Sequence, residues 1–272
     1  MVSYSDVVDT IVELFREAET SLGDDVVKAL REAYDREEGI AKNILEAILK
    51  NVELAREKGI PMCQDTGLPV IFAEVGRETK LNFNLREAIT EGVVRATEEV
   101  PLRPNAVHPL TRKNSGDNTG MHMPLIYFDI IEGSELRLTV MPKGAGSENA
   151  SKIKVMLPGD ADKIPLFVAE VVKEAGGKPC PPVIVGVGIG STFDGAAKLA
   201  KKALLRDITK MSEYELEILE TVNSLGIGPM GLGGKTTALA VLVEMGHCHT
   251  ASLPVAVNIQ CWANRHATAT LG

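Results

Sequence analysis

The stretch PPVIVGVGIGSTFDGAAKLAKKALL, residues 181–205, decides the fold class, because its hydrophobic periodicity changes from that of a strand to that of a helix. Its first part, PPVIVGVGI, is an unbroken run of apolar residues and glycine, which is typical of a strand buried on both faces. Its second part, GAAKLAKKALL, spaces apolar residues as one face of a helix does. A buried strand followed directly by a helix indicates an α/β architecture.

The sequence on both sides of this stretch predicts further helices and strands. Helical spacing of apolar residues predicts three helices over about residues 1–58, and Asp24 and Asp25 are expected to cap the second of them. Asn84 is expected to cap a later helix that reaches about Val100. The remaining predicted helices cover residues 163–177, 195–205 and 212–225, and the remaining predicted strands cover residues 68–75, 236–245 and 252–259.

The segments LIYFDI (125–130) and ELRLTVMP (135–142) flank the residues IEGS and predict a β-hairpin. We therefore expect a mixed α/β fold, with a helical N-terminal segment followed by mixed sheets with surrounding helices. No repeat of fixed period, low-complexity stretch or clear linker interrupts the chain, so residues 1–272 are expected to form a single domain. Its N-terminal helices would cover about residues 1–58 and its α/β part about residues 59–272.

Composition excludes several classes of function. The 272 residues carry a net charge of −8 and give a pI of about 5.3, which argues against binding to nucleic acid or to a membrane surface through a basic face. No apolar run reaches the ~18 residues of a transmembrane helix. The acidic N-terminal segment lacks the features of a signal or transit peptide, so we expect a cytoplasmic protein.

Two glycine-rich segments and one histidine-rich segment suggest ligands only weakly. PMGLGGKTT (229–237) has Pro229 where a phosphate-binding loop requires its first glycine. GVGIGS (186–191) lacks the third glycine of a dinucleotide-binding turn, so a tight turn from strand to helix is the better interpretation. GHCHTAS (246–252) places two histidines beside a cysteine, and neighbouring residues of a strand point to opposite faces. A polar catalytic histidine and a surface histidine therefore both remain possible there.

The chain has four cysteines, and a cytoplasmic location predicts that they are reduced. Cys63, Cys180 and Cys261 each lie beside proline or glycine or at the end of an element, whereas Cys248 lies in a β-like run. Three loop cysteines could hold a cubane iron–sulfur cluster in which one iron keeps an open coordination position. Spacing alone leaves this hypothesis open against three ordinary thiols.

Five segments in a fixed order then point to a family. They are PMCQDTG (61–67), LRPNAVHPLTRKNSGDNTG (102–120), KGAGSENASK (143–152), KPCPPVIVGVGIGSTFD (178–194) and HTASLPVAVNIQCWANRH (249–266). Together they resemble the alpha subunit of the two-subunit, iron–sulfur (class I) fumarate hydratases, and that of the related L-tartrate dehydratases. The resemblance extends over about residues 40–272.

This resemblance implies a cluster-bearing hydro-lyase subunit of the tricarboxylic acid cycle that hydrates fumarate reversibly to malate. It implies a [4Fe-4S] cluster with Cys63, Cys180 and Cys261 as ligands, and it gives Cys248 no such role. It implies Asp65 and His249 as catalytic residues. The residues that it implies for substrate binding are Gln64, Asp65, Arg103, Lys143, Gly144, Ser147, Asn149 and His249. Interpretations without a catalytic or binding role remain open. Asp65 could cap a turn, and Lys143, Arg112 and Lys113 could each be a solvated charge.

The resemblance also implies partners. A small dicarboxylate is the expected substrate, and a separate beta subunit is expected to complete the active site, within a homo- or hetero-oligomer. The lysine-led loop KGAGSEN favours fumarate, whereas PCPPVIVGVGIG is also similar to the strand of the tartrate enzymes. A tartrate dehydratase subunit and a non-catalytic binding subunit are therefore kept as alternatives.

Overall fold

The computed structural model describes residues 2–272, which form a mixed α/β structure with two four-stranded sheets, as the sequence predicts. Contacts divide the chain into two compact units. Unit 1 comprises the chain up to Leu22, Asn51–Ala145 and Arg265–Gly272, and unit 2 comprises Gly23–Lys50 and Gly146–Asn264. The single domain expected for residues 1–272 stays a prediction.

The predicted helices and strands occur in the predicted order, and three further elements, over residues 145–148, 152–156 and 267–271, were not predicted. The helices are α1 (Tyr4–Thr20), α2 (Asp24–Arg36), α3 (Gly39–Lys58), α4 (Leu85–Glu99), α5 (Ala145–Glu148), α6 (Ile164–Ala175), α7 (Phe193–Ala203) and α8 (Glu213–Asn223). The strands are β1 (Leu68–Gly76), β2 (Leu125–Ile131), β3 (Leu136–Lys143), β4 (Lys152–Met156), β5 (Val183–Gly190), β6 (Ala238–Gly246), β7 (Leu253–Gln260) and β8 (Ala267–Leu271). Of the helices that residues 2–272 form, none is long and apolar enough to cross a membrane.

Unit 1 contains the sheet β2-β1-β3-β8, which packs with α1 and α4 around one apolar core. Asn84 caps α4 as predicted, because its side chain accepts hydrogen bonds from the backbone N–H groups of Arg86 and Glu87. The α1 helix begins at a capping box in which Ser3 and Asp6 bond each other's backbone. These caps fix the helices whose apolar faces cover the sheet.

The predicted hairpin of β2 and β3 is wrong, because β1 lies between these two strands. β2 runs parallel to β1, and β3 runs antiparallel to it. Residues 70–73 of β1 are all buried, which suits a central strand, whereas Ile126 is the only buried residue of β2, as suits an edge strand. The connection crosses the end of β1, where Gly76 N–H donates to Glu135 O and Arg77 N–H donates to Ile131 O, both at 2.8 Å.

The predicted cap of α2 by its aspartates is also wrong. Gly23 is the N-cap residue and makes no side-chain bond, while Asp24 and Asp25 lie in the first turn. The Asp25 carboxylate instead accepts the backbone N–H of Ile208 at 3.0 Å. Both carboxylates still favour the helix, because negative charge stabilises the positive end of its dipole.

Unit 2 contains the sheet β4-β7-β5-β6, with the stretch that decides the fold class at its centre. Every residue of β5 is buried. The valines of β5 belong to the apolar core that α6 and α8 share, and Gly186 and Gly188 lie against α7 on the other face. A Cβ atom at Gly188 would lie 2.0 Å from the backbone oxygen of Ala196. The glycines therefore allow a helix to approach a strand closely.

We expect Gly188→Ala to lower the free energy of unfolding by about 3 kcal/mol. The added methyl group would clash with backbone atoms, which cannot change rotamer to avoid it as a side chain can. Gly159→Ala is the matched control, since a Cβ atom there meets nothing within 4 Å. The control should change stability by less than about 0.5 kcal/mol. Urea unfolding followed by circular dichroism measures both values, and equal stability of the two variants would contradict this account of the packing.

The segment PMGLGGKTT does not form a phosphate-binding loop. It contains a short 3-10 turn, Pro229–Gly231, and leads into β6, whereas such loops connect a strand to a following helix. Lys235 Nζ donates to the backbone oxygen of Arg36 at 3.1 Å, and the backbone N–H of Thr236 donates to Glu37 Oε1 at 2.6 Å. These groups hold the turn between α2 and α3.

Candidate active site

The first predicted cluster ligand, Cys63, lies on the loop that follows α3 in unit 1. Cys63 is partly exposed and Gln64 is exposed. The preceding residue is fixed at both backbone atoms: Met62 N–H donates to Glu19 O, and Met62 O accepts from Asn51 Nδ2, both at 2.9 Å. The loop therefore presents Cys63 and Gln64 at the surface of the unit from an anchored backbone.

Asp65 is bound to the glycine loop, KGAGSEN (143–149), which the resemblance implies for substrate binding. Its Oδ2 accepts the backbone N–H of Ala145 at 2.8 Å, and its Oδ1 accepts the N–H of Gly67 at 3.0 Å. Asn105 Nδ2 lies 3.4 Å from Oδ1 and donates to Gly67 O at 3.0 Å. Asp65 thus caps its own turn, which is the purely structural role considered above, and it also contacts the predicted substrate loop.

Gly67 and Lys143 are packed directly against each other. Gly67 has a φ of +73°, and a Cβ atom there would lie 2.6 Å from the backbone nitrogen of Lys143, so a side chain is excluded. Lys143 is the last residue of β3, opposite Leu68 in register, and only 3% of it is exposed. It is therefore not a solvated loop charge.

Arg103 lies beside Asp65 because Thr66 binds its backbone. Thr66 Oγ1 accepts the N–H of Arg103 at 2.9 Å and donates to its carbonyl at 3.3 Å. Asn118, which is 2% exposed, donates to the same carbonyl at 3.1 Å and accepts the N–H of Asn105 at 2.6 Å. The exposed guanidinium of Arg103 has no ion-pair partner in residues 2–272. It is available to an anionic ligand.

Unit 2 brings Ser147, Cys180 and Cys261 to one end of its sheet. Cys180 precedes β5, Cys261 follows β7, and these strands are antiparallel neighbours. Cys180 has a φ of +55°, and its carbonyl accepts the N–H of Trp262 at 3.4 Å. Ser147 Oγ lies 3.3 Å from Oε1 of Gln260, the residue before Cys261. Asn149 is exposed in the same loop as Ser147.

His249 lies at the other end of this sheet. The eight residues of β7, about 26 Å at 3.3 Å per residue, separate its turn from Cys261. His249 caps this turn, since its Nδ1 accepts the N–H of Ala251 at 3.1 Å and its carbonyl accepts the N–H of Ser252 at 3.0 Å. An open cavity of about 450 Å³ here is lined in part by Ser191, Thr192, Phe193, His247, Cys248 and His249. The role implied for His249 stays a prediction.

A buried ion pair that is not evident from the sequence lies below the Cys63 loop. Arg265 Nη1 donates to Glu19 Oε2 at 2.6 Å, with 2% of Arg265 and 0% of Glu19 exposed. Burial raises the pKa of Glu19 to about 7, although the adjacent guanidinium of Arg265 opposes this shift. A signal was present, because Glu19 follows Phe15 on the apolar face of α1, where a charged residue needs a buried partner.

None of the four cysteines forms a disulfide, so sulfur donors for soft metal centres are present. Cys63 and Cys261 are partly exposed, and Cys180 and Cys248 are exposed. Within residues 2–272 no group of three or more His, Cys, Asp and Glu side chains could hold a metal ion.

Comparisons with known proteins agree with the five ordered segments. A sequence model of the family described as fumarate hydratase (Fumerase) matches residues 8–270. The chain therefore belongs to the fumarate hydratase (Fumerase) family, whose members are hydro-lyases.

Particular relatives are similar over nearly the whole chain. A protein of Methanocaldococcus jannaschii named "Putative L(+)-tartrate dehydratase subunit alpha" is 51% identical over a match of length 271 that covers 95% of each chain. The L(+)-tartrate dehydratase alpha subunits of Escherichia coli K12 and of Shigella sonnei are each 36% identical over a match of length 258 that covers 92% of this chain and 85% of theirs. The resemblance to alpha subunits of this family is thereby confirmed.

Proposed function

We propose that this chain is the cluster-bearing subunit of a hydro-lyase that adds water to fumarate and removes it from malate. The observation that carries the proposal is the grouping in unit 1 of Asp65, the Gly144 loop and the anchored Arg103. A carboxylate, a glycine loop and a cationic fork together provide a proton-transferring group and two means of binding an anion. The family membership supports the reaction class.

The chemistry of the donors supports a [4Fe-4S] cluster with Cys63, Cys180 and Cys261 as ligands, as the resemblance implies, although residues 2–272 bring no such group of metal-binding side chains together. All three lie on loops and form no disulfide, and the backbones of Cys180 and Trp262, next to Cys261, are hydrogen-bonded to each other. Thiolates are the usual ligands of such clusters, and three of them leave one iron open to another ligand. When bound, the cluster supplies a Lewis acid for the hydroxyl group that is added or lost.

Arg103 would bind a carboxylate of the substrate. A guanidinium donates two parallel N–H bonds to a carboxylate, which fixes the orientation of the substrate as well as its charge. The backbone of Arg103 is held at both its N–H and its carbonyl by Thr66 and Asn118, so its side chain starts from a fixed position. Lys143, Ser147 and Asn149 are proposed, on the resemblance, as further substrate-binding residues that contribute positive charge and hydrogen-bonding groups.

Asp65 would move the proton through Oδ2. Backbone N–H groups hold both carboxylate oxygens, which fixes the plane of the carboxylate, and each oxygen keeps a lone pair. A Cβ atom on Gly144 would lie 3.2 Å from Oδ2, so the absence of a side chain there leaves Oδ2 accessible. Gln64, exposed next to Asp65, would contact the polar groups of the substrate.

L(+)-tartrate is the second candidate substrate, because the relatives named above are described as tartrate dehydratase subunits. Both reactions remove water from a hydroxylated four-carbon dicarboxylate, so the same groups serve either. We also propose that a separate beta subunit completes the site, since these relatives are described as alpha subunits. His249 is proposed as a further substrate contact on the resemblance alone, because in unit 2 the length of β7 separates its turn from Cys261.

The experiment is anaerobic reconstitution of the chain with iron and sulfide, alone and together with a co-expressed beta subunit. Turnover is then measured with fumarate, malate and L(+)-tartrate. We expect activity only in the two-subunit preparation, with fumarate and malate as the preferred pair. A higher kcat/KM for tartrate would favour the second candidate, and a chain that binds no iron would favour a non-catalytic binding subunit.

Arg103→Lys is expected to lower kcat/KM for the dicarboxylate by roughly 10- to 150-fold, because lysine keeps the charge but loses the bidentate fork. A lost bond to a charged group costs about 1.5–3 kcal/mol, which corresponds to that range. Arg112→Lys is the matched control, since Arg112 is exposed on the same loop. The assignment is wrong if both variants keep the wild-type kcat/KM.

A further inference from the structure

The buried ion pair of Glu19 and Arg265 carries a large desolvation penalty in unit 1. Both side chains are buried, and Glu19 Oε1 has no hydrogen-bond partner among residues 2–272. Removing two charges from water often costs as much as their attraction returns, so apolar residues of similar volume would stabilise the core at least as well. The pair therefore calls for an explanation other than stability.

The second contact of Arg265 supplies this explanation. Its Nη2 donates to the backbone carbonyl of Asp65 at 2.9 Å, while Nη1 is bound to Glu19. Glu19 in turn accepts the N–H of Met62 with its own backbone carbonyl, at 2.9 Å. The loop is thus held at Met62 and at Asp65, on both sides of Cys63 and Gln64.

The same guanidinium lies below the glycine loop. A Cβ atom on Gly144 would be 3.8 Å from Arg265 Nη2 and 3.2 Å from Asp65 Oδ2. Arg265 therefore supports the position at which the Asp65 carboxylate meets the N–H of Ala145. A planar group with several fixed donors can hold two such contacts in one geometry, which the single flexible ammonium of lysine does not.

We propose that Arg265, itself held by Glu19, is a positioning residue that fixes the loop of Cys63, Gln64 and Asp65 against the glycine loop. It touches no substrate and acts through the Asp65 carbonyl. This inference rests on the proposed function for its effect on turnover, whereas its effect on the loop does not depend on that function. Small displacements of catalytic groups reduce rates strongly, so the effect on turnover should exceed the effect on binding.

The test compares Arg265→Met, Arg265→Lys and the double variant Glu19→Met/Arg265→Met with a matched control, Arg206→Met. Arg206 forms an equally short ion pair, 2.6 Å to the buried Glu215, but lies in unit 2 and donates to none of the loops named above. Stability is measured by urea unfolding of the full chain. Loop order is measured by hydrogen exchange at the backbone amides of Met62 and Ala145 in the metal-free chain.

We expect both Arg→Met single variants to be destabilised, and the double variant to regain stability because no unpaired charge remains. The backbone amides of Met62 and Ala145 should exchange hydrogen at least tenfold faster in every Arg265 variant than in the wild type. Their exchange rates should be unchanged in Arg206→Met. In the reconstituted two-subunit enzyme, kcat per bound cluster should fall at least tenfold in the double variant, while KM stays nearly unchanged. Among the Arg265 variants, only Arg265→Lys should keep part of the wild-type kcat.

Two results would overturn the inference. If the Met62 and Ala145 amides of the double variant exchange as slowly as in the wild type, Arg265 does not hold the loop. If these amides exchange faster but kcat per cluster is that of the wild type, the loop geometry does not govern turnover. Wild-type enzyme without any dicarboxylate turnover would instead refute the proposed function, and the exchange data would still judge the role of Arg265 in the loop.

Discussion

Cys63→Ser, Cys180→Ser and Cys261→Ser are each expected to lose the iron–sulfur cluster and all turnover, while Cys248→Ser keeps both. Thiolates bind the iron of such clusters, and a serine hydroxyl is a harder, much weaker ligand for it. Each serine changes one atom, so folding should be preserved. The measurement is the content of iron and sulfide per chain after anaerobic reconstitution, together with visible absorbance.

Cys248→Ser is a stringent control because Cys248, like Cys180, is exposed and forms no disulfide. The two differ in position: Cys180 precedes β5, and Cys248 lies near Gly190 at the end of the same strand. A cluster that survives in one of the first three variants, or that is lost in Cys248→Ser, would show that the ligand set is wrong.

Much of the fold follows from periodicity in the sequence. Continuous apolar runs predict the central strands, and β5 is buried at every residue because helices cover both of its faces. The error over β2 and β3 has a physical cause. A short connection between two strands favours a hairpin, but pairing also depends on which strand must be buried on both faces, and here β1 takes the place between them.

The site is less accessible to sequence reasoning, because its contacts join distant segments. Nothing in the sequence pairs Asp65 with Ala145 or with Arg265, although the carboxylate and the carbonyl of Asp65 bind them. Periodicity concerns neighbours on one element, whereas these contacts depend on how β1 and β3 are paired. The charge of Glu19 on an apolar helix face does predict a buried partner, but not which one.

Asp65→Asn is expected to lower kcat of the reconstituted enzyme by about 10²–10⁴-fold, the usual range for removing a positioned acid or base. The amide has the shape of the carboxylate but cannot accept a proton at pH 7. One of its two atoms also becomes a donor, which would face the N–H of Gly67 or that of Ala145. Some stability should therefore be lost together with activity, and these two effects must be separated.

Asp117→Asn separates them, because Asp117 also caps its own turn in unit 1: its Oδ1 accepts the N–H of Thr119 at 2.9 Å. Both variants lose a turn-capping carboxylate, but only Asp65 contacts the glycine loop that we propose for the substrate. If capping were the whole role of Asp65, the two variants would lose similar stability and neither would lose kcat per bound cluster. We expect Asp65→Asn and Asp117→Asn to be destabilised to a similar extent, and only Asp65→Asn to lose kcat. Stopped-flow measurement of turnover, normalised to iron content, would test this expectation.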